Sequence, residues 1–219
     1  MEKISLVILN FNQAGRIDRA IRSCQNQFRT SFELEIIVVD DGSTDDSLLV
    51  LEEFQDDIVL IRNPMNLGVG ASSRIAFEAH SGRYFMRVDA DDFLSPISCA
   101  TLLLALTVNA DFSFAYADHY RVNEKGFKQE LIYLDDFDQL IRHGAGVLFR
   151  SREIASVGGF DDSLRNCEDM DLLLRLQSEG KKGIRVPLPL YRYYQHNSNT
   201  SKTEEQRKSE RKLRKKYGI

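Results

Sequence analysis

Three acidic clusters interrupt the chain, at Asp40-Asp41, at Asp89-Ala90-Asp91-Asp92 and at Glu168-Asp169. The first follows the apolar run Ile36–Val39 and the second follows Tyr84–Val88, and both runs are typical of buried strands. Carboxylates at the carboxyl ends of parallel strands line the crevice where open α/β sheets bind ligands. Because packed negative charge is costly unless a cation neutralises it, a divalent metal that carries a diphosphate is the simplest partner for these clusters.

Each cluster also has an interpretation that needs no ligand. The first begins a turn in which Gly42 permits a tight backbone, and Ser43 and Thr44 can cap the next helix. The third begins an apolar helical segment, where the helix macrodipole favours acidic side chains in the first turn. An isolated Asp-x-Asp is commonly a solvated turn. The position of the second cluster, directly after a predicted strand, favours a ligand site over that alternative.

Composition and charge restrict the class of protein. The chain has 219 residues, of which 42% are hydrophobic and 28% are charged, so it is long enough for one large globular domain. The net charge is −4, and nothing in it points to a nucleic-acid partner. Residues 201–219 carry eight Lys or Arg and three Glu, a local charge of +5. Such a tail suits an anionic membrane surface or another acidic partner.

Cysteine content and hydropathy bear on the compartment. The three cysteines, at 24, 99 and 167, are odd in number and widely spaced, which favours a reducing compartment over a disulfide framework. The first apolar run ends at Asn10 and does not resemble a signal peptide. The run Cys99–Val108 is about half of a membrane span. We therefore expect a cytoplasmic protein, with peripheral contact at the inner face of the cell membrane left open.

The first half of the chain alternates apolar runs with amphipathic segments, which predicts a parallel sheet with helices on both faces. One helical face recurs at Ile17, Ala20, Ile21 and Cys24. The four predicted strands are Ile4–Leu9, Leu34–Val39, Ile58–Ile61 and Tyr84–Val88.

The second half follows a different pattern. A turn at 123–126 between polar, alternating arms predicts a hairpin at the sheet edge over Asp118–Ile132. A helix is expected over Met170–Leu176. Short strands are predicted at Phe112–Tyr116, Val147–Arg150 and Ile184–Val186. With no internal repeat and no low-complexity linker, residues 1–200 are interpreted as one α/β domain and residues 201–219 as a basic tail.

Six segments in this order resemble the family 2 glycosyltransferases, whose fold is called GT-A. The resemblance runs from about Lys3 to Ser201. Each segment alone is a weak signal, but their order and spacing together are specific. The segments are Ile4–Asn12, Val39–Asp45, Asn66–Arg74, Asp89–Asp92, Gly158–Asp161 and Glu168-Asp169.

The resemblance implies a GT-A-like, Rossmann-like sheet with a nucleotide-binding half at 1–110 and an acceptor-binding half at 111–200. It implies transfer of a sugar from a nucleoside-diphosphate donor, with UDP favoured, to an acceptor hydroxyl, with inversion at the anomeric carbon. The acceptor would be a glycan, a lipid-linked glycan or a small molecule, in glycan or polysaccharide biosynthesis. The cofactor implied is Mn²⁺ or Mg²⁺.

The nucleotide contacts also follow from the resemblance. Asp41 would accept a hydrogen bond from a ring N–H of the base, which suits uracil or guanine. In Asn66–Arg74 the family pattern ends Ala-Arg-Asn, whereas this chain reads Ala-Ser-Ser-Arg, so the arginine is displaced by two positions. The further residues implied in donor binding are Asn10, Phe11, Asn66, Gly68, Arg74, Asp89 and Arg192.

Metal binding is expected at the second cluster. Carboxylates at i and i+2 can converge on one hard cation, and oxygen ligands select Mg²⁺ or Mn²⁺. By resemblance Asp91 is the direct ligand and Asp89 contacts ribose or a metal-bound water. His196 would reach the metal or the diphosphate, although a single histidine in a polar segment is often merely exposed.

The general base is expected in the third cluster. A sugar hydroxyl is a poor nucleophile at neutral pH, so a base must remove its proton. By resemblance Asp169 is that base and Glu168 assists it. Asp171 is an alternative two residues later, but helical geometry should point its side chain elsewhere.

Three rival functions remain at the level of the sequence. A sugar nucleotidyltransferase needs a basic, glycine-rich phosphate loop after the first strand, and the loop 10–15 does not provide one. A receiver-like signalling domain is too short to account for the chain beyond about residue 125. A catalytically degenerate nucleotide-sugar-binding module keeps the same motifs. For the tail, a solvated and frayed helix is slightly favoured over membrane docking.

Overall fold

The structure, a computed structural model, describes residues 1–29, 31–195 and 203–219. Within these ranges strands and helices alternate as far as the fourth strand, and the order becomes irregular after it. The elements are β1 (Glu2–Asn10), α1 (Ile17–Gln25), β2 (Phe32–Asp40), α2 (Ser47–Glu52), β3 (Val59–Arg62), α3 (Val69–Ala79), β4 (Tyr84–Asp89), β5 (Phe93–Leu94), α4 (Ser98–Val108), β6 (Phe114–Val122), β7 (Lys128–Ile132), α5 (Phe137–His143), β8 (Leu148–Arg150), α6 (Ser151–Ser156), α7 (Glu168–Ser178), β9 (Gly183–Tyr194) and α8 (Glu204–Tyr217).

The nine strands form one sheet in the order β3-β2-β1-β4-β8-β6-β9-β5, and β7 pairs with β6 outside this path. Strands β3, β2, β1 and β4 run parallel, so the carboxyl ends of β1, β2 and β4 meet at one edge. Strand β8 is antiparallel to both of its neighbours. The predicted α/β fold with a mostly parallel sheet is confirmed, and so is the hairpin at β6–β7.

Two apolar cores lie on opposite faces of the sheet. Successive side chains of β1 alternate between the faces, so that Ile4, Leu6 and Ile8 join one core and Val7 joins the other. The first core packs against α1 and α4, and the predicted face of α1 is buried. The second core packs against α3 and α7. This arrangement fixes the start of α7 on the same side of the sheet as Val7 and Phe85.

Strand β9 is much longer than the predicted Ile184–Val186. It runs for 12 residues to Tyr194, eight residues beyond the predicted end. Pro187 and Pro189 obscure it, because proline weakens a strand prediction. The structure accommodates them with two register shifts against β6, between Ala117 and Asp118 and between Asp118 and His119. Strand β5 and helices α5 and α6 were not predicted either.

The basic tail is not the frayed, solvated helix that its composition favoured. Helix α8 packs against α7, and Leu213 is buried in the second core. Its Tyr217 hydroxyl donates to Asp171 Oδ1 at 2.9 Å. These contacts dock a helix whose other side chains are mostly charged. Among the described residues, no helix is long and apolar enough to cross a membrane.

Candidate active site

The first acidic cluster closes the carboxyl end of β2 onto the loop before α3. Asp41 is buried, and its carboxylate accepts from the backbone N–H groups of Leu67 and Gly68, both at 2.9 Å. It also accepts from Asn63 Nδ2 at 2.8 Å. Neighbouring Asp40 accepts from Asn10 Nδ2 at 2.7 Å. The structure thus brings Asn10, Asp41 and Gly68 together at one sheet edge, as the sequence predicted.

The turn at Gly42 is a position where only glycine fits. Its φ is +72°, and a β-carbon there would lie 2.5 Å from the backbone carbon of Met65. The predicted caps beyond it are wrong, because the helix begins only at Ser47. Ser43 Oγ instead accepts from Asn12 N, and Asp45 Oδ1 accepts from Ser47 N. These contacts tie the end of β1 to the turn after β2.

An exposed ring stands next to this edge. Phe11 directly follows β1 and is 42% exposed, so its face is open to a planar ligand. Asn66, in the adjoining loop, accepts from Arg165 Nη2 at 3.3 Å. Both residues lie on segments that the hydrogen bonds of Asp41 and Ser43 hold in place.

Arg74 and Arg192, the two arginines predicted to bind the donor, contact other parts of the structure. Arg74 Nε donates to Glu78 at 3.0 Å and lies 3.7 Å from Asp162. Arg192 donates to the carbonyl oxygens of Pro189 and Tyr191, and its guanidinium lies 5.0 Å from the ring centre of Tyr120. These contacts do not join either arginine to the acidic clusters. His196 lies outside the described residues.

The second and third acidic clusters meet at a buried arginine that the sequence interpretation passed over. Arg87, in β4, is ion-paired with Asp89 at 3.4 Å, with Asp169 at 3.2 Å and with Glu168. We call these four residues the Arg87 cluster. Arg87 and Asp89 are two residues apart in a strand, so their side chains share a face. The available signal was an arginine within an otherwise apolar strand, which is unusual unless the charge is paired.

The charges of the Arg87 cluster are not balanced. The pKa of Asp89 is raised to about 6, chiefly by burial, with the carboxylates of Asp91 and Asp169 adding to the rise and Arg87 opposing it. Burial also raises the pKa of Asp92 well above its usual range, with Asp91 and Asp89 adding to the effect. One guanidinium faces three carboxylates, so negative charge exceeds its compensation here. A cation would relieve that excess.

The loop Asp91–Asp92 is held from both sides. Arg19 Nη2 donates to the carbonyl oxygen of Asp91 at 2.9 Å. Asp92 is fully buried and accepts from Tyr194 N at 2.7 Å. The Tyr191 hydroxyl accepts from Asp89 N at 3.1 Å. The end of β9 therefore fixes the acidic loop. The sequence did not predict this role, because it did not predict that β9 extends to Tyr194.

A glycine turn encloses Asp169. Gly144, with φ +63°, faces the Asp169 carboxylate so closely that a β-carbon would overlap it. Gly146 N donates to the carbonyl oxygen of Arg87 at 2.9 Å, which bonds the turn to β4. A β-carbon on Gly146 would overlap the ring of Tyr191. The sequence alone did not single out either glycine, because the side chains that require a glycine at these positions lie far away along the chain.

Two histidines stack beside this turn and were also missed. His119 and His143 lie 3.9 Å apart between ring centres, and His143 packs edge-on against Tyr191 at 5.2 Å. Burial lowers the pKa of His119 to about 4 and the pKa of His143 well below its usual range. Both rings are therefore neutral near pH 7.

The donor set fits a metal that arrives with its own ligands. No group of three or more His, Cys, Asp or Glu in the described part of the chain forms a ready-made metal cage. Asp89 and Asp91 supply two carboxylates, and Mg²⁺ is commonly bound by one or two carboxylates together with substrate phosphates and water. The excess negative charge at Asp89 agrees with such a site.

Comparison with known proteins shows the family. Residues 5–157 match the family described as "Glycosyl transferase family 2". The chain therefore belongs to the family 2 glycosyltransferases, and its sheet has the GT-A architecture.

Individual relatives agree with this assignment. The chondroitin synthase of Escherichia coli is 26% identical over 185 residues, which cover 81% of this chain and 27% of the synthase. The chain thus spans only about a quarter of that relative. Staphylococcus aureus TarS 1–349, solved with UDP-GlcNAc, has a TM-score of 0.77 over 96% of this chain and 65% of its own, at 19% identity. The Pyrobaculum calidifontis mannosyltransferase PcManGT, solved with GDP-Man and Mn²⁺, has a TM-score of 0.70 over 90% of this chain and 58% of its own, at 14% identity.

Proposed function

We propose that this chain transfers a sugar from a nucleoside-diphosphate donor, with UDP favoured, to an acceptor hydroxyl, with inversion and with the help of Mn²⁺ or Mg²⁺. The observation that carries the proposal is the Arg87 cluster, which gathers the Asp-x-Asp strand end and the first turn of α7 within ion-pair distance. A leaving-group site and a proton acceptor must lie this close for a single displacement.

The nucleotide lies at the edge formed by β1, β2 and the loop before α3. Phe11 stacks on the base, because its ring is exposed there. Asp41 already accepts three hydrogen bonds, and a carboxylate has about four lone-pair sites. Contact with a ring N–H thus uses its remaining capacity. Asn10, Asn66 and Gly68 shape this pocket.

The diphosphate lies at the second acidic cluster. Asp91 and Asp89 hold the metal, which stabilises the negative charge on the departing nucleoside diphosphate. The raised pKa of Asp89 and the deep burial of Asp92 support this assignment.

Asp169 is the base. The acceptor oxygen forms a bond to the anomeric carbon, the bond from that carbon to the diphosphate oxygen breaks, and the acceptor proton passes to Asp169. Arg87 orients Asp169 through their ion pair at 3.2 Å. Asp171 is excluded from this role by its contacts, since its carboxylate accepts from Arg175 and Tyr217 on the far side of the helix.

The acceptor is proposed to be a growing glycan. The matched synthase is named for a polysaccharide, and TarS was solved with a UDP-sugar. Because the chain spans a quarter of that synthase, the proposal covers a single sugar transfer and not a complete polymerising activity.

The test is a thermal-shift panel of UDP-, GDP-, CDP- and dTDP-sugars with and without Mn²⁺, followed by assay of nucleoside-diphosphate release. We expect a UDP-sugar with Mn²⁺ to raise the melting temperature most and to be hydrolysed slowly. Binding without any hydrolysis would indicate an inert nucleotide-sugar-binding module. Consumption of a nucleoside triphosphate with release of pyrophosphate would indicate a nucleotidyltransferase.

A cytoplasmic location with membrane contact through α8 is a separate proposal. The face of α8 away from Leu213 carries exposed cations with helical spacing. At short range each can contribute about 1 kcal/mol toward an anionic lipid surface. These residues are Arg207, Lys208, Arg211, Lys212 and Lys215.

The membrane proposal is tested by sedimentation with phosphatidylcholine vesicles that contain or lack phosphatidylserine. Changing Arg207, Lys208, Arg211 and Lys212 to glutamine keeps the docked residues Leu213 and Tyr217 in place. We expect the full chain to sediment with the anionic vesicles only and the variant to stay in solution. Equal binding by both proteins would rule out docking through this face.

A further inference from the structure

Helix α8 is tied to two other helices by charged and polar contacts. Toward α7, Lys216 Nζ lies 3.2 Å from Asp171 Oδ1, and the Tyr217 hydroxyl donates to the same oxygen. Toward α5, Arg214 Nη2 lies 2.7 Å from Asp138 Oδ1. Asp171 is fully buried, whereas the Lys216 side chain is 55% exposed, so these contacts lie at the edge of the packed interface between α7 and α8.

These two helices are the ones that enclose Asp169. Helix α5 ends in the turn where Gly144 faces the Asp169 carboxylate, and α7 carries Asp169 in its first turn. The position of that carboxylate therefore depends on how α5 and α7 are spaced. Arg214 and Tyr217 connect the two helices through α8, in addition to the direct packing of α5 on α7.

The residue before the first turn of α7 is strained. Cys167 has φ +59°, a left-handed conformation that side chains with a β-carbon rarely adopt. Its buried thiol lies 3.8 Å from the carbonyl oxygen of Gln206 in α8. Strained backbone persists where the surroundings hold it in place. Here the first residues of α8 are part of those surroundings, and Glu168 and Asp169 follow immediately.

We infer that α8 is a positioning element for the catalytic base. It fixes α7 against α5 through Asp171 and Asp138, and it covers the strained Cys167, so that the Asp169 carboxylate stays between Gly144 and Arg87. Lys216 and Tyr217 are positioning residues that act through Asp171 and the first turns of α7. This inference rests on the proposed role of Asp169 as the base.

The test compares Tyr217→Phe and Lys216→Met with the matched control Lys215→Met in the full chain. The control also removes one cation from α8, but it leaves the ion pair between Lys216 and Asp171 intact. Three quantities are measured: hydrogen exchange of the peptide 167–173, kcat and KM for Mn²⁺-dependent hydrolysis of UDP-GlcNAc, and the melting temperature. Lys216→Arg tests rescue, because it keeps the charge opposite Asp171.

We expect Tyr217→Phe and Lys216→Met to lower kcat about tenfold with KM for UDP-GlcNAc within about twofold, since a misplaced base affects the chemical step and leaves donor binding intact. Exchange should rise in 167–173 and stay unchanged in β1 and β2. Lys215→Met and Lys216→Arg should resemble the unaltered chain.

The inference is overturned if both variants keep kcat and the exchange of 167–173, or if exchange rises equally throughout the chain. Failure of the proposed function gives a different result. In that case the unaltered chain does not hydrolyse UDP-GlcNAc, while the exchange of 167–173 still responds to Tyr217→Phe if α8 holds the turn.

Discussion

Two acidic groups near the carboxyl ends of the strands are compensated in opposite ways. Asp40 and Asp41 accept hydrogen bonds from amides, including Asn10, Asn63 and the backbone of Gly68. The Arg87 cluster instead relies on one guanidinium that is ion-paired with three carboxylates. Amide groups donate hydrogen bonds to Asp40 and Asp41 and hold the loop before α3 in place, whereas the Arg87 cluster keeps an excess of negative charge.

The difference shows what an acidic motif in a sequence can mean. Carboxylates that accept most of their hydrogen bonds from amides act as structural ties, and they organise a pocket for an uncharged group such as a base. Carboxylates that outnumber the cations around them can accept an additional cation. Asp89 is one of these, and its pKa is raised by burial and by its acidic neighbours. The contrast therefore agrees with the proposal that the first group recognises the base and the second binds the diphosphate.

The largest expected effect is on turnover. Asp169→Asn keeps the shape of the side chain but removes its capacity to take a proton, so kcat should fall about a thousandfold. Binding of UDP, in which Asp169 has no proposed contact, should remain within about twofold. Steady-state kinetics and calorimetry measure the two quantities. A near-normal kcat in Asp169→Asn would show that Asp169 is not the general base.

Arg87→Met should cost stability. The change leaves Glu168 buried and without its ion-pair partner, and breaking a buried pair costs about 3–5 kcal/mol. In a domain of this size that corresponds to a fall in melting temperature of about 6–20 °C. Arg83→Met is the control, because Arg83 pairs with Glu2 at an exposed site in the same segment. A similar fall in melting temperature in the two variants would show that the ion pairs of Arg87 contribute no more to stability than an exposed ion pair does.

Asp41→Ala should lower the free energy of unfolding by about 2 kcal/mol, which is less than the effect of Arg87→Met. The change leaves buried amides without hydrogen-bond acceptors but leaves no buried charge without a partner. Urea unfolding measures this cost. Exposed Asp46, whose side chain makes no capping bond, provides the control Asp46→Ala. If Asp41→Ala unfolds at the same urea concentration as the control, the loop before α3 does not depend on Asp41.

Glu35 provides a reference carboxylate outside both groups. Burial raises its pKa, but hydrogen bonds from Ser5, Ser81 and Lys3 outweigh that effect and lower the pKa to about 2. Its folded pKa lies below the ordinary value of 4.5, so its stabilisation is complete above about pH 4.5 and is lost as the pH falls toward 2.

Glu35→Gln should therefore lower the free energy of unfolding by about 2 kcal/mol at pH 7 and by much less near pH 2. Urea unfolding at a series of pH values gives this difference. A difference that does not change between pH 7 and pH 2 would mean that the carboxylate charge is not what stabilises this site.

The donor half of the fold could be predicted because its signals are local. Apolar runs, a helical face at Ile17–Cys24 and acidic residues after strands all lie within short windows. The Arg87 cluster could be predicted only in part. Its carboxylates stood out as motifs, but Arg87 was hidden in a strand, and its significance depends on residues about 80 positions away.

The acceptor half was harder because its determinants are distant contacts. Strand β9 contains two prolines and is stabilised by pairing with β6 over most of its length. Gly144 is required by Asp169, and α8 docks through Leu213 together with contacts from Arg214, Lys216 and Tyr217 to distant acidic side chains. None of these features has a local pattern strong enough to predict it. The division of the chain at residue 110 into nucleotide-binding and acceptor-binding halves stays a prediction.

The most direct test is calorimetric titration of UDP into the chain and into Asp91→Asn, each with and without Mn²⁺. We predict that Mn²⁺ strengthens UDP binding to the unaltered chain about a hundredfold, equivalent to about 2.7 kcal/mol, and that Asp91→Asn abolishes this gain while melting at nearly the same temperature. UDP affinity that is independent of Mn²⁺, or a full Mn²⁺ effect in Asp91→Asn, would contradict the assignment of a metal-bound diphosphate to the second acidic cluster.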